Sequence, residues 1–221
     1  MTDRMGKVVV NQTISADGYS AGLNQSEERP FGDDGGDGWG NTLHAWMFDA
    51  GEENRAEVDQ INAASAVIMG RNMFGPVRGP WGDSDWTGWW GPEPPYHHPV
   101  FVLTHHAPEE PPPGRVHYAT EVHACAAQAR AAAGDADVLV LGAGAAQALL
   151  RAGELDELEL HVVPVLLGRG RRLFDHLPAE RTELELTRAL DAADADPAHR
   201  VLHLRYRVQR PSPTQDAGGD R

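Results

Sequence analysis

The chain has 221 residues, and 33 acidic against 19 basic side chains give it a formal net charge of −14 with histidine neutral. This length fits one large domain with a sizeable core, and so negative a surface repels phosphate backbones and anionic lipids. We therefore expect neither nucleic acid nor a membrane as a partner. Cys125 is the only cysteine, and no apolar run approaches the ~20 residues that a spanning helix needs, so we expect a cytoplasmic protein without disulfides.

Short apolar runs that alternate with helical periodicity predict an α/β protein. In chain order the predicted elements are a strand at 7–14, helices at 43–50 and 52–64, strands at 65–69, 99–104 and 115–119, a helix at 121–132, a strand at 137–141, a helix at 145–152, and strands at 157–167, 182–190 and 200–208. The alternation favours a mostly parallel sheet that ends in an antiparallel pair. Pro164, inside the strand at 157–167, predicts a sheet edge or a bulge. We expect one domain over 1–208 and a disordered tail over 209–221.

Two long segments, 22–40 and 75–95, are too rich in glycine, proline or aspartate for regular structure and are predicted to be loops. All six tryptophans fall between residues 39 and 90, and the second loop contains the cluster Trp81–Trp90. Such rings could stack on a flat substrate, pack at a dimer contact, or simply pack beneath an irregular loop.

The strand at 65–69 leads into a candidate anion site. Gly70 lets the backbone approach a ligand closely, and the turn after it can expose the N–H groups of a helix N-terminus. Arg71 offers a planar fork of donors for a phosphate. The same Gly-Arg pair also suits an ordinary turn with a surface arginine.

A second glycine turn follows the strand at 137–141. Gly142, Ala143 and Gly144 match what a diphosphate-binding turn requires, since Cβ atoms would hold a diphosphate away from the backbone amides. The third glycine of the dinucleotide-binding fingerprint is missing, and no acid lies in the ribose position about 20 residues further on. The turn is therefore either a diphosphate site or a plain connection between a strand and a helix.

Five segments in this order resemble the dihydrofolate-reductase-like superfamily, and most closely the reductase domain of the bifunctional riboflavin-biosynthesis deaminase-reductase. The segments are SADGY, VIMGRNMF, FVLT, VLVLGAG and LDELELHVVPVLLGRGRRLF. The resemblance extends over residues 7–208 and implies a three-layer α/β/α fold around a mixed, mostly parallel sheet, with NADPH across the carboxyl-terminal edges of the strands. The deaminase half has no counterpart, because the chain has neither an HxE nor a PCxxC motif.

The resemblance implies a cofactor site built from both glycine turns. Arg71 would contact the 2′-phosphate or the pyrophosphate, and Thr104 and His105 would flank the adenosine half. Ala143 replaces a glycine that is usual in the family and therefore requires an ordinary φ. Met73 stands where dihydrofolate reductases have a threonine hydroxyl for the phosphates. The implied cofactor-binding residues are Thr13, Gly70, Arg71, Asn72, Thr104, His105, Gly142, Ala143, Gly144 and Ala145.

The resemblance also implies where the acceptor is bound. Asp17 would lie beside the nicotinamide and the substrate, where it would orient the substrate or relay a proton; its residue types suit a plain Asp-Gly turn equally well. His161 would lie on the floor of the substrate pocket as a general acid, or it is a satisfied core histidine. Glu53 and Glu57 lie where dihydrofolate reductases place a pterin-binding acid, and we interpret both as residues of a solvated helix face.

We therefore expect an NADPH-dependent reductase that transfers hydride to a small heterocyclic, carbonyl or imine substrate. The alternative is a nucleotide- or ligand-binding module of the same fold without turnover. The pairs His97-His98 and His105-His106 point apart on an extended chain, so we expect no metal site. A homodimer is expected from the resemblance alone, and the choice between NADPH and NADH stays open.

Overall fold

Ten strands and five helices are found among the described residues. The structure, a computed structural model, describes residues 6–75, 81, 97–111, 114–175, 177, 181–191, 196 and 199–210. The strands are β1 (Val8–Ser15), β2 (Tyr19–Ala21), β3 (Ala66–Gly70), β4 (Val100–Leu103), β5 (Val116–Ala119), β6 (Val138–Leu141), β7 (Glu157–Val163), β8 (Arg171–Arg172), β9 (Leu184–Asp191) and β10 (Leu202–Val208). The helices are α1 (Ala45–Phe48), α2 (Arg55–Ala63), α3 (Arg71–Phe74), α4 (Val122–Ala133) and α5 (Ala143–Arg151).

Eight of the strands form one mixed sheet, in the order β5-β4-β3-β6-β1-β7-β10-β9. All neighbours from β5 to β7 run parallel, whereas β10 is antiparallel to both β7 and β9. The short strands β2 and β8 pair separately. The predicted fold class is thereby confirmed. Parallel central strands are buried on both faces, and this is why they read as unbroken apolar runs in the sequence.

Helices cover both faces of the sheet, which gives the domain its three layers. Val10, Ile68 and Val140 point to the face where α4 and α5 pack, in one cluster with Cys125 and Leu149. The residues that alternate with them point to the opposite face, where α2 and α3 pack. Members of that second cluster are Ala64, Val67, Met69, Phe74, Val100, Val102 and Leu139. Such alternation is what a sheet with two covered faces requires.

Several predicted elements are shorter than their sequence patterns indicate, and two of them have a clear physical reason. The strand at 157–167 ends before Pro164, and β7 is an interior strand between β1 and β10. Pro164 therefore lies outside the ladder, where its missing N–H is harmless, and the predicted edge or bulge is wrong. The helix at 43–50 shrinks to the four residues of α1, because a turn closed by the His44 N–H and the Gly40 carbonyl precedes it.

Parts of two predicted irregular segments lie outside the described residues. Gly75 and Trp81 are the described residues of the segment 75–95, so the rest of the predicted tryptophan cluster is outside. The predicted tail is outside from residue 211 onward. No helix in the described ranges is long and apolar enough to cross a bilayer.

Candidate functional site

The carboxyl-terminal ends of the parallel strands bring the two glycine turns together. β3 and β6 are neighbours, with Met69 opposite Leu141, so the turns that follow them lie side by side. A Cβ built on Gly70 would be 3.5 Å from the backbone nitrogen of Ala145. Open α/β sheets bind ligands in the crevice at this edge. The two turns therefore form one backbone surface, as a shared cofactor site requires.

The turn before α5 depends on glycine at its first position. Gly142 has φ +90° and ψ 141°, a conformation that other residues rarely adopt. A Cβ there would lie 2.9 Å from Met73 Cβ, and the Gly142 N–H donates to Gln12 Oε1 over 3.0 Å. Ala143 has no positive φ, since Asn24 is the one non-glycine residue with that feature in the described ranges. The alanine therefore fits the turn with the ordinary φ that it requires.

The first turn of α5 lies beside the Gly70 turn, and its residues Ala143 and Ala145 are buried. A helix leaves its first N–H groups without acceptors, and here the Ala146 N–H is the one that bonds back to the Gly142 carbonyl. The N–H groups of residues 143–145 are thus placed to bind an anion, which the helix dipole also favours. Gly144 is exposed, and the atom nearest to a Cβ built there is Arg171 Nη2 at 3.8 Å. Arg171 adds a positive charge beside this turn.

Replacing Gly142 by alanine is expected to lower the free energy of unfolding by about 1 to 3 kcal/mol, because backbone strain at positive φ adds to the clash with Met73. Gly144→Ala is the matched control. A Cβ at position 144 would make only an ordinary van der Waals contact, and the residue has no positive φ, so we expect a change within about 0.5 kcal/mol. Its new Cβ should nevertheless weaken NADPH binding by holding the phosphates off the amides. Urea denaturation measures both stabilities, and equal losses in the two variants would contradict this account of the turn.

Arg71, at the start of α3, is held by an aromatic ring. Its guanidinium carbon is 3.6 Å from the centre of the Trp81 ring, and its Nε is buried without a hydrogen-bond partner in the described part of the protein. Burial lowers the pKa of Arg71, but an arginine remains charged at neutral pH. A buried N–H without an acceptor costs free energy unless a ligand supplies one. An anionic ligand at this predicted phosphate position would satisfy it.

The remaining predicted cofactor residues of this region lie around the same edge. Thr104 is buried after β4, and its Oγ1 donates to the His106 carbonyl over 2.9 Å. The Trp81 indole N–H donates to the same carbonyl. His105 and Asn72 are exposed. Thr104 and Trp81 are thus linked through the His106 carbonyl, while His105 and Asn72 are accessible to a ligand.

Asp17 clamps the turn after β1 onto the loop after β7. Its Oδ1 accepts hydrogen bonds from Ser15 Oγ (2.6 Å) and the Leu167 N–H (3.1 Å), and its Oδ2 accepts one from the Gly168 N–H (2.7 Å). These bonds, that of Ser15 first, lower the pKa of Asp17. Gly18 has φ +85°, as the Asp-Gly turn alternative requires. The geometry therefore supports a positioning role for Asp17 over proton relay.

His161 belongs to a buried chain of hydrogen bonds. Its Nδ1 is 2.6 Å from His203 Nδ1, and its Nε2 is 3.1 Å from Asn11 Oδ1. His203 Nε2 is in turn 3.0 Å from Asn54 Oδ1. Burial, followed by the neighbouring His203, lowers the pKa of His161 well below its usual value. With both ring nitrogens engaged, the geometry favours the core-histidine alternative over the general acid.

The sequence patterns do not identify the residues that join His161 in this chain of hydrogen bonds. Trp46, His203 and Asn54 are all buried, and the Trp46 indole N–H donates to Oγ1 of Thr13 over 3.1 Å. Thr13, implied as a cofactor-binding residue, is therefore itself buried and engaged by the protein. The available signal is that His161 and His203 occupy inward positions of strands, where a polar residue needs a partner.

The two helix acids have different environments. Glu53 is exposed, as expected, but Glu57 is buried and pairs with Arg188. The predicted solvated face is wrong for Glu57, because β9 brings Arg188 into contact with α2. Arg188 also forms an ion pair with Glu159, and Glu159 forms a second ion pair with Arg205. Glu57 thus neutralises a guanidinium and is not free to bind a pterin.

His44, just before α1, makes the fold sensitive to acid. Burial lowers the pKa of His44 from 6.5 to about 4, and its Nδ1 has no partner in the described structure. In the unfolded chain His44 becomes protonated as the pH falls below 6.5, whereas in the folded protein it stays neutral down to about pH 4. The free energy of unfolding is therefore unaffected by protonation of His44 above pH 6.5, and it decreases as the pH falls from 6.5 toward 4.

Over this pH window the unsubstituted protein should lose about 3 kcal/mol more stability than His44→Leu, which cannot titrate. Urea denaturation at a series of pH values measures the difference. His97→Leu removes an exposed histidine as the control and should follow the unsubstituted protein. Parallel pH profiles for His44→Leu and the unsubstituted protein would refute the account of His44.

The sheet order, the three layers and the paired turns define the class of protein, a domain of the dihydrofolate-reductase-like superfamily. The family is shown by a match to a model of the family's sequences. The chain belongs to the RibD C-terminal domain family, whose model matches residues 6–194. Membership confirms the resemblance found in the sequence and supports an oxidoreductase role. Among curated proteins there is no match.

Three solved structures illustrate the fold. A putative riboflavin biosynthesis protein from Shewanella sp. PV-4 is 21% identical, with a TM-score of 0.59 over 93% of this chain and 100% of that one. A diaminohydroxyphosphoribosylaminopyrimidine deaminase/5-amino-6-(5-phosphoribosylamino)uracil reductase from Thermotoga maritima is 15% identical, with a TM-score of 0.61 over 94% of this chain and 58% of that one. Dihydrofolate reductase from Enterococcus faecalis, complexed with NADP(H), is 13% identical, with a TM-score of 0.58 over 93% and 98%. At these identities the likeness shows the fold, and the chain spans little more than half of the Thermotoga protein.

Proposed function

We propose that the protein is an NADPH-dependent reductase that transfers hydride to a small heterocyclic, carbonyl or imine acceptor. The observation that carries the proposal is the crevice at the carboxyl edge, where Nε of Arg71, without a partner among the described residues, lies on the turn beside the first N–H groups of α5. An anionic dinucleotide would supply acceptors to both. The family, and a fold neighbour complexed with NADP(H), support a nicotinamide dinucleotide as that anion.

In this proposal different residues around the crevice bind different parts of the cofactor. The N–H groups of residues 143–145 hold the diphosphate, Gly144 allows its close approach, and Arg171 contributes charge. Arg71 holds a phosphate, either the 2′-phosphate or the pyrophosphate, and Thr104 and His105 flank the adenosine half. When bound, NADPH supplies the hydride.

The residues predicted on the acceptor side, Asp17 and His161, hold neighbouring groups of the protein in place. Asp17 holds the loop after β7 in place, and its lowered pKa makes it a poor proton donor at neutral pH. His161 is buried, burial lowers its pKa, and both of its ring nitrogens lie within hydrogen-bond distance of protein atoms. We therefore propose that the proton which completes the reduction comes from water.

Asp17 and His161 both form hydrogen bonds within the protein, and this favours one second candidate, a nucleotide- or ligand-binding module without turnover. Incubation with NADPH and a panel of aldehydes, ketones and cyclic imines separates the two. Oxidation of NADPH above the rate without protein supports the reductase, and Gly144→Ala should oxidise it more slowly. Binding of NADPH with no oxidation by any member of the panel supports the binding module. Absence of binding contradicts both.

Two further proposals concern the state of the protein in the cell. We propose a cytoplasmic location, since Cys125 is buried and unpaired. We also propose a homodimer, because the residues that the structure describes leave part of one apolar face of β9 and β10 exposed: Leu184, Leu186 and Leu202 are 43%, 54% and 37% exposed, and the register puts Leu186 opposite Tyr206 on that face.

Leu186→Lys places a charge in the centre of this face and should convert a dimer to a monomer. Light scattering coupled to size exclusion gives the mass of each protein. Glu185→Lys, at the next position on the same strand, is the control and should remain dimeric, because alternate residues point to opposite faces. A one-chain mass for the unsubstituted protein would contradict the proposed dimer.

A further inference from the structure

Trp46 covers the predicted acceptor side of the site. It is 2% exposed, although its helix, α1, has only four residues. Its indole N–H donates to Thr13 Oγ1 over 3.1 Å, and its ring centre lies 4.3 Å from that of His161. Thr13 and His161 are opposite one another on the neighbouring strands β1 and β7. The indole therefore fills the space above the two residues that the sequence places beside cofactor and substrate.

This space is close to the proposed diphosphate turn. Thr13 follows Gln12, whose Oε1 accepts the Gly142 N–H. Trp46 is thus one residue along β1 from the contact with that turn, on the other face of the strand. An acceptor that reacts with a cofactor held at this edge has to bind near the ends of β1 and β7, since the reacting groups must meet.

Hydrogen bonds to the backbone hold the helix that carries the indole in this position. Asn54 Nδ2 donates to the carbonyls of Trp46 (2.9 Å) and Ala50 (3.1 Å), and Asn54 Oδ1 bonds to His203 Nε2 (3.0 Å). The apolar contacts belong to a third, small cluster apart from the two that cover the sheet. Its buried members are Leu43, Trp46, Val163 and Val201. A smaller side chain at position 46 would therefore empty one defined space and leave the two larger clusters intact.

We propose that Trp46 sets the size of the acceptor by filling the inner part of the acceptor site with its two fused rings, an inference that rests on the proposed function. The emptied space would be bounded by the Thr13 hydroxyl, the His161 ring and apolar side chains of the small cluster. Because an indole matches these surroundings, a flat bicyclic heterocycle should match them once the indole is removed. The unsubstituted protein then prefers monocyclic acceptors, and Trp46→Ala accepts bicyclic ones.

The test compares kcat/KM for pyridine-3-carboxaldehyde and quinoline-3-carboxaldehyde, with NADPH, in the unsubstituted protein, Trp46→Ala and Leu155→Ala. Leu155 is the control because it is 1% exposed in the cluster that packs with α4 and α5, on the other face of the sheet from Trp46. The ratio of quinoline to pyridine activity should rise about tenfold or more in Trp46→Ala, as expected when a pocket gains room for a ring. It should not change in Leu155→Ala.

An unchanged ratio in Trp46→Ala, with both aldehydes slowed alike, would show a purely structural tryptophan and overturn the inference while leaving the reductase proposal intact. If the alanine variant does not fold, Trp46→Phe keeps a ring against His161, and a smaller rise in the ratio is expected. If neither aldehyde is reduced although NADPH binds, the reductase proposal fails. The inference is then judged by binding: quinoline-3-carboxaldehyde should raise the melting temperature of Trp46→Ala more than that of the unsubstituted protein, and equal shifts overturn it.

Discussion

Replacing Glu159 by glutamine is expected to lower the free energy of unfolding by about 3 to 5 kcal/mol. Glu159 is 1% exposed, and its carboxylate pairs with both Arg188 and Arg205. Glu57, also buried, pairs with Arg188 from the side of α2. The substitution leaves two guanidinium groups beside a single buried carboxylate. Removal of the buried partner is costly because the two guanidinium groups, whose side chains are 30% and 28% exposed, are already partly desolvated and then lose a counter-ion.

Glu185→Gln is the matched control for this prediction. Glu185 lies on β9 and pairs with Arg207 on β10 at 2.9 Å, but its side chain is 49% exposed. Exposed pairs contribute about 1 kcal/mol at most, so this variant should unfold close to the unsubstituted protein. Urea unfolding gives the midpoints, and an unchanged slope with denaturant assigns the change to stability. Equal midpoints for the two variants would show that the buried network contributes no more than a surface pair.

Arg71→Ala is expected to weaken NADPH binding by roughly 10- to 150-fold, which corresponds to the 1.5 to 3 kcal/mol of a hydrogen bond to a charged group. The guanidinium is already oriented by Trp81, and its Nε has no acceptor in the described structure, so little ordering is lost when a phosphate binds. Titration of NADPH while tryptophan fluorescence is recorded measures the dissociation constant.

Three comparisons sharpen this prediction. Arg71→Lys keeps the charge but loses the planar fork and should bind with intermediate affinity. Arg151→Ala removes a positive charge at the far end of α5 and should bind NADPH as the unsubstituted protein does. Parallel titration with NADH identifies the phosphate: weaker binding of NADPH alone points to the 2′-phosphate, and weaker binding of both to the pyrophosphate. Unchanged NADPH affinity in Arg71→Ala would remove the arginine from the site.

Much of the fold could be predicted because its signals are local. The central strands β1, β3 and β6 are buried on both faces, and each appears in the sequence as an apolar run that a turn ends. The glycine turn is equally local, since the requirement for positive φ at Gly142 belongs to that residue alone. Pro164 misled the prediction because the pattern of alternation continues past the end of the hydrogen-bonded ladder.

The candidate site could be predicted in part. Arg71 and Gly142 follow strands that the sequence identifies, and parallel strands bring their ends to one edge. The partners of Glu57 and His161 could not be found in this way. Arg188 is 131 residues from Glu57, and His203 is 42 residues from His161, so both contacts depend on β10 pairing between β7 and β9. Local patterns do not determine which strands become neighbours.

Calorimetric titration of NADPH into the unsubstituted protein tests the central claim most directly. We expect saturable binding of one NADPH per chain and a rise in melting temperature when NADPH is present, because a ligand that binds the folded state stabilises it. Absence of both the binding heat and the rise in melting temperature would contradict the assignment of the crevice at Arg71 and Gly142 as a cofactor site, and the reductase proposal with it.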